Sequence, residues 1–256
     1  MPILERERRG PVELLRLNRP EARNAMSPEL SAAIEAALDA VEPDPDVAAV
    51  VITGNGPVFC AGADLRVIAR GEGAGIMTRR GGFGGLTQRD FAKPVIAAVN
   101  GAAVAGGFEL VLACDLVVAA ADAVFGLPEA ARGLLAAAGG PIRLAKRVPL
   151  ALALEIGLTA EPISADRAFQ VGLVNRVVPP DQVIDAALAL AERIAGNSPT
   201  AVRVTRRLIR AAVEATEAEG WRMTMEAAAE VGASGDGIEG ATAFIEKRPP
   251  VWRRPP

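Results

Sequence analysis

Hydrophobic residues fall into two regimes along the chain. Over residues 1–180, short apolar runs recur between turn signals, and most lack polar alternation. Such runs suit buried strands, whereas a sheet with one wet face would alternate. The pattern predicts strands over Ile3 to Arg8, Val12 to Asn18, Val47 to Thr53, Val95 to Val99 and Leu116 to Ala120. A helix is predicted after Ser27, an N-cap residue followed by Pro28, with Leu30, Ile34 and Leu38 on one face and Pro43 and Pro45 beyond its end. From about Asp181 the spacing turns helical over Asp181 to Ala195, Pro199 to Thr216, Glu219 to Val231 and Asp236 to Lys247. An α/β or α+β core with covered sheets, followed by a helical appendage, is the expectation.

One stretch breaks this pattern. Pro94 to Ala121 is almost wholly apolar, yet it carries Gly106-Gly107 and then Glu109, set among Phe108, Leu110, Val111 and Leu112. A carboxylate in such surroundings costs several kcal/mol (roughly, per buried ion) unless it is paired or protonated. Two readings account for it. It is a first-turn residue favoured by the helix dipole, or it is an acid or base whose pKa is raised by desolvation. Asn100, Glu109 and Asp115 also interrupt the run, so it is not a membrane span.

Composition narrows the chemistry. At 256 residues and 50% hydrophobic, with a net charge of −3, the chain has the makeup of a globular protein with no general attraction to nucleic acid or anionic membrane. There is no His, which excludes Ser-His-Asp, Cys-His and His-ligated metal sites, and no Tyr to serve as a phenolic acid. Cys60 and Cys114 are expected to be small packing residues. The charged start, MPILERERRG, lacks the apolar segment of a secretory signal. A cytoplasmic protein is expected.

Residues 71–85, GEGAGIMTRRGGFGG, complete neither a dinucleotide-binding nor a Walker pattern. They are expected to form a mobile surface loop, a lid over a pocket.

Phe59-Cys-Ala-Gly-Ala-Asp-Leu65, Asn100-Gly-Ala-Ala-Val-Ala-Gly-Gly-Phe-Glu-Leu110, Cys114-Asp115 and Phe125-Gly-Leu-Pro-Glu129 resemble the signature blocks of the enoyl-CoA hydratase/isomerase (crotonase) family. Asn18 to Ala25, Gly172 to Asn175 and Ala243 to Arg248 fit it too, so the resemblance runs along essentially the whole chain. It implies a spiral of repeated ββα units, an α/β fold, with a C-terminal helical oligomerisation region. The corresponding division is 1–195 for a core with the CoA-thioester site and 196–256 for the helical region, which forms a homotrimer or hexamer. Whether the C-terminal helices pack on their own core or on a neighbour is left open by the residues themselves.

The resemblance further implies enolate chemistry on an acyl-CoA thioester, the coenzyme A being part of the substrate and no separate cofactor or metal being needed. The backbone N–H groups of Ala63 and Gly106 match the family's oxyanion hole. Glu109 and Glu129 match its two acids, Glu109 deprotonating the water that attacks the β-carbon and Glu129 protonating the α-carbon. Arg23, Ala61, Gly62, Asp64, Leu65, Phe244 and Lys247 match CoA-binding positions, the last two reaching over from an adjacent subunit, and Arg19 is a further candidate cation. Asp64 and Asp115 also read as structural residues satisfying turn or helix-start amides. Hydration of a 2-enoyl-CoA, as in fatty-acid metabolism, is the expected reaction. Isomerisation, another crotonase chemistry, a non-catalytic acyl-CoA binder and paired-carboxylate polysaccharide hydrolysis are the alternatives.

This chain departs from the family in two places. Ala105-Gly106-Gly107 stands where the family has a glycine triplet. Gly133 to Gly140 lacks the Pro-Gly of the fatty-acyl hydratases, and Pro141 replaces a polar residue, so a branched or carnitine-like acyl group is open.

Overall fold

The computed structural model describes residues 1–253; residues 254–256 of the expected C-terminal region lie outside the described residues. Strands β1 (Leu4–Arg9) and β2 (Val12–Leu17) form an antiparallel hairpin. Helix α1 (Pro28–Val41) follows, its Ser27 hydroxyl accepting the Leu30 N–H at 3.3 Å and Pro28 in the first turn, as the local sequence predicts. Three units then repeat one plan: β3 (Ala49–Gly54), β4 (Val58–Cys60) and α2 (Leu65–Ala69), separated by the short hairpin β5 (Met77–Thr78) and β6 (Gly82–Phe83) from β7 (Val95–Val99), β8 (Ala102–Val104) and α3 (Gly106–Ala113), then β9 (Leu116–Ala120), β10 (Val124–Gly126) and α4 (Gly140–Arg147). Next come α5 (Leu150–Thr159), β11 (Ile163–Ser164), α6 (Ala165–Gln170), β12 (Arg176–Val178) and α7 (Val183–Ala195). Helices α8 (Pro199–Ala212), α9 (Glu217–Ser234) and α10 (Asp236–Glu246) complete the described chain.

Each ββα unit gives its first strand to one sheet and its second to another. The larger sheet runs β1-β2-β3-β7-β9-β12, parallel from β2 onward; the smaller runs β11-β10-β8-β4. Every residue of β3 and β7 is buried, which explains why these strands read as unbroken apolar runs. The expected spiral of ββα units is therefore the observed architecture.

Helix α3 is seated on β4 through Gly107. A Cβ at this position would lie 2.0 Å from the Cys60 carbonyl oxygen and 2.7 Å from its carbonyl carbon. Only a residue without a side chain lets the helix approach this closely.

The glycine-rich segment differs from expectation. Residues 81–87 are mostly buried, and the Phe83 ring lies against Gly106, where a Cβ would fall 2.3 Å from it. Gly81 N–H donates to Glu35 on α1 at 2.8 Å. Far from forming a mobile surface loop, this half of the segment is a packed strap between α1 and α3. Its glycines serve close backbone approach: a Cβ on Gly85 would be 2.7 Å from Glu35 N.

The C-terminal helices attach to the core through ions. Asp115 accepts from Arg206 Nε at 2.8 Å and Arg210 Nη1 at 2.7 Å while also capping the Val95 N–H at 2.8 Å, a structural role as anticipated. Trp221, Met225 and Phe244 remain exposed. No helix among the described residues is long and apolar enough to cross a membrane.

Gly107→Ala is expected to lower unfolding stability by about 3 kcal/mol, the upper range for an added methylene in a packed interior, measured as a shifted urea midpoint. A midpoint equal to the parent's would show that α3 is not held this tightly on β4.

Candidate active site

Four sequence-predicted groups converge at the N-terminal end of α3. Ala63 forms a parallel bridge with Met26 in which Met26 N–H donates to Gly62 O at 2.7 Å and Asp64 N–H to Met26 O at 2.9 Å. Alternation along an extended strand then turns the Ala63 N–H to the opposite side, where no described residue accepts it. Gly106 opens α3, so its N–H has no intrahelical acceptor. The two are adjacent: a Cβ on Gly62 would sit 3.0 Å from Gly106 N and 2.7 Å from the Ala105 Cβ. Two free backbone donors thus stand side by side at the positive end of a helix, an arrangement suited to an oxyanion.

Ala105 sets the direction of the second donor. It adopts φ 53° and ψ −134°, a backbone region that L residues other than glycine avoid. The conformation is held from both sides: Ala105 N–H donates to Gly126 O at 2.9 Å, and its carbonyl accepts Phe108 N–H at 2.9 Å and Glu109 N–H at 3.1 Å.

One turn into α3, Glu109 is 3% exposed. Its Oε1 accepts the Ala138 N–H at 2.8 Å and the Gly140 N–H at 2.7 Å. Burial raises its pKa; the Gly140 amide opposes the shift, the Glu129 charge adds to it, and the Ala138 amide and Arg143 oppose it again. Glu129 follows β10 at the start of a short 3-10 turn, Ala130–Arg132. Its Oε2 is buried and has no hydrogen-bond partner among the described residues. Burial raises the Glu129 pKa as well, with its own amide and the Arg132 charge pulling it back. Arg132 itself donates to Pro128 O at 3.0 Å and makes no ion pair with Glu129.

The two carboxyls are therefore unlike. Two amides support the anionic form of Glu109, whereas a buried oxygen without a donor favours the protonated form of Glu129. The arrangement can hold a water on the free Oε2 of Glu109 and offer a proton from Glu129, beside donors for a developing oxyanion.

Three supporting residues were not picked out from the sequence. Ala138 and Gly140 act through backbone amides, which no residue type announces; the Gly139-Gly140-Pro141 run was the available signal. Arg143 donates to the carbonyls of Ala138 and Thr87 and so fixes the loop that supplies both amides to Glu109. Its spacing from Glu109 gave no sign of this.

The proposed CoA-binding positions divide into three sets. Ala61 to Leu65 form the loop carrying the Ala63 donor, and Ala61 N–H donates to Arg23 O at 3.1 Å. Arg23 is exposed and makes no ion pair among the described residues, and Leu65 is also exposed. Arg19 and Asp64 are internal braces instead: Arg19 Nη2 meets Asp64 Oδ2 at 2.9 Å, and Asp64 Oδ1 caps α2 through the Arg66 N–H at 3.1 Å. The Asp64 carboxylate is committed to these partners, and Arg19 is not a free surface cation. Phe244 and Lys247 lie exposed at the C-terminal end of α10, whose main packing partner is α9. Both cysteines are buried free thiols whose pKa burial pushes up to about 12, so neither is a nucleophile. No group of three or more His, Cys, Asp or Glu side chains is placed to hold a metal among the described residues.

Known proteins match this chain along its length. The sequence model of the enoyl-CoA hydratase/isomerase family covers residues 7–255. A carnitinyl-CoA dehydratase from Salmonella enteritidis PT4 is 41% identical over 252 residues, 96% of each chain. The crystal structure of an enoyl-CoA hydratase from Mycobacterium tuberculosis H37Rv superposes with a TM-score of 0.95 at 42% identity, covering 100% of both chains. That of a carnitinyl-CoA hydratase from Mycobacterium avium gives 0.78 at 46% identity, covering 98% of each.

Two outcomes test this geometry. Ala105→Gly is expected to raise stability by about 1 kcal/mol, the relief of backbone strain being partly offset by glycine's greater unfolded-state freedom; a lower urea midpoint would contradict the strain. For Glu129, a native pKa above the ordinary 4.5 means that the folded state holds the proton more tightly. Its stabilising contribution is complete below that value and is lost as pH rises through the raised native pKa. Glu129→Gln should thus flatten the decline in stability as pH rises above the ordinary carboxyl range, and parallel curves would refute the assignment.

Proposed function

The chain belongs to the enoyl-CoA hydratase/isomerase family, and we propose that this hydro-lyase adds water across the 2,3 double bond of an enoyl-CoA through an enolate held by Ala63 and Gly106. The observation that carries this reading is the unlike pair of acids beside two free amides. The thioester oxygen accepts from Ala63 and Gly106, so charge arriving there in the transition state meets donors already oriented; each is worth on the order of 10²–10³-fold in rate. Glu109, anchored through Oε1, uses its other oxygen to orient and deprotonate the water attacking the β-carbon. Glu129 passes its proton to the α-carbon, and in dehydration each residue takes the reverse role. Isomerisation needs one mobile proton acceptor only and leaves the amide-anchored Glu109 without a task.

A carnitine-like acyl group is a second reading of the substrate, favoured by the likeness to a carnitinyl-CoA dehydratase and a carnitinyl-CoA hydratase. The CoA portion lies by Arg23 and the Ala61 to Leu65 loop. In this reading α8 to α10 pair subunits through the exposed Trp221, Met225 and Phe244, bringing Phe244 and Lys247 to a neighbour's site.

Purified protein should bleach the conjugated-thioester absorbance of a 2-enoyl-CoA, and Glu109→Gln and Glu129→Gln should each lower kcat by at least about 10³-fold, the range of general acid–base catalysis plus lost positioning. Full activity in either variant would sink the two-carboxylate mechanism. A panel of straight-chain, branched and γ-trimethylammonium enoyl thioesters then ranks the acyl group by kcat/KM.

A further inference from the structure

A cavity of about 960 Å³ opens between α4, the C-terminal end of α3 and α8, and neither Glu109 nor Glu129 lines it. Its charges are unbalanced. Arg143, Lys146, Arg147, Arg206 and Arg210 face only Asp115 and Glu214. Lys146 pairs with Glu214, and Asp115 is shared by Arg206 and Arg210. Neither Arg143 nor Arg147 pairs with a carboxylate at salt-bridge distance, although the Glu109 charge acts on Arg143 and the Asp115 charge on Arg147. The Arg143 fork is occupied by the Ala138 and Thr87 carbonyls, but Arg147 has a single hydrogen bond, from Nη2 to the Cys114 carbonyl.

A largely desolvated guanidinium without a directly paired carboxylate is unfavourable. Burial pushes the Arg147 pKa down and the Arg210 charge adds to this, while Cys114 and Asp115 oppose it; Arg143 is lowered by burial, Arg210 and Arg147, against Glu109 and Cys114. Arg210 uses Nη1 alone for its partners, so its remaining nitrogens and those of Arg147 form two open forks close enough to repel. Guanidinium forks match a carboxylate in a planar, bidentate manner. The other walls are aliphatic, with Ile142, Ile209 and Val213 lining the same space. The volume falls within the range of small-molecule sites.

We propose that this cavity binds an aliphatic carboxylate, its headgroup bridging Arg147 and Arg210 and its chain lying on Ile142, Ile209 and Val213. The anion relieves the repulsion between the two guanidinium groups, and the chain removes the aliphatic wall from water. A bare inorganic anion does the first and not the second, which makes the apolar body part of the recognition. The site stands apart from the thioester chemistry and does not depend on it.

The test is calorimetric titration of the full-length protein with octanoate, with and without saturating butyryl-CoA to occupy the acyl-CoA site. A single saturable site that persists with butyryl-CoA, weakens with salt, and loses about tenfold or more affinity in Arg147→Gln and Arg210→Gln (the scale of a charged hydrogen bond) is expected. The proposal is overturned by no saturable binding, by affinity unchanged in both variants, or by loss of binding with butyryl-CoA, which would place octanoate in the acyl site. It is equally overturned if inorganic phosphate binds as tightly, which would mean an adventitious ion only. Arg210 lies at the cavity mouth with its side chain 41% exposed, so Arg210→Gln decides the matter if Arg147→Gln fails to fold.

Discussion

Burial of the Glu109 carboxylate constrains everything around it. With 3% of its surface exposed, this side chain cannot rely on water, and its ionised form exists only because the protein supplies donors. Those donors are the amides of Ala138 and Gly140, 2.8 and 2.7 Å away. Bringing them there dictates the path of the chain before α4. Gly139 takes φ 102°, and a Cβ on Gly140 would lie 3.0 Å from the carboxylate oxygen. Arg143, one turn further on, clamps the Ala138 carbonyl and ties the loop to Thr87 beside the glycine strap. The loop, the strap and α3 are thus one unit organised around one charge.

What the sequence disclosed follows from the range of the interactions involved. Ser27 as a cap and the buried strands were legible because capping and strand patterning are local. Glu109, Gly106, Ala63 and Glu129 could be singled out because they sit in motif blocks. Non-local pairings were silent. Arg19 reads as a surface cation until folding brings Asp64, 45 residues on, to within 2.9 Å. The support of Glu109 comes from backbone amides some 30 residues away, and an alanine amide has no signature. Residues 81–85 misled for a related reason. A glycine-rich run specifies close approach and freedom equally well, and only the presence of α1 and Leu110 against Gly84 and Gly85 decides between a packed strap and a mobile lid.

Composition alone cannot tell the two acids apart, yet their surroundings do. Glu109 has its charge distributed over two amides with Arg143 nearby; Glu129 has a buried oxygen facing no donor. The Glu129 charge also makes ionisation of Glu109 harder, since like charges close together are not comfortably held. Burial raises both pKa values, so the two acids titrate as a pair, and their unequal donor sets make the two surroundings chemically distinct.

The two free amides, of Ala63 and Gly106, rest on the layering of the sheets more than on α3 itself. A helix N-terminus presents several free amides, and what selects Gly106 is the backbone of Ala105, bent to φ 53° and ψ −134°. Strain of that kind relaxes unless neighbouring contacts over-determine it. Here the Ala105 N–H is bound to Gly126 at the end of β10, its carbonyl is bound by two amides of α3, and Gly62 packs against its Cβ from the loop after β4. Three successive ββα units thus meet at one residue: the first brings Gly62 and Ala63, the second Ala105 and Gly106, the third Gly126 and, three residues later, Glu129. The repeat that builds the fold is also what places both donors and the second acid within reach of Glu109.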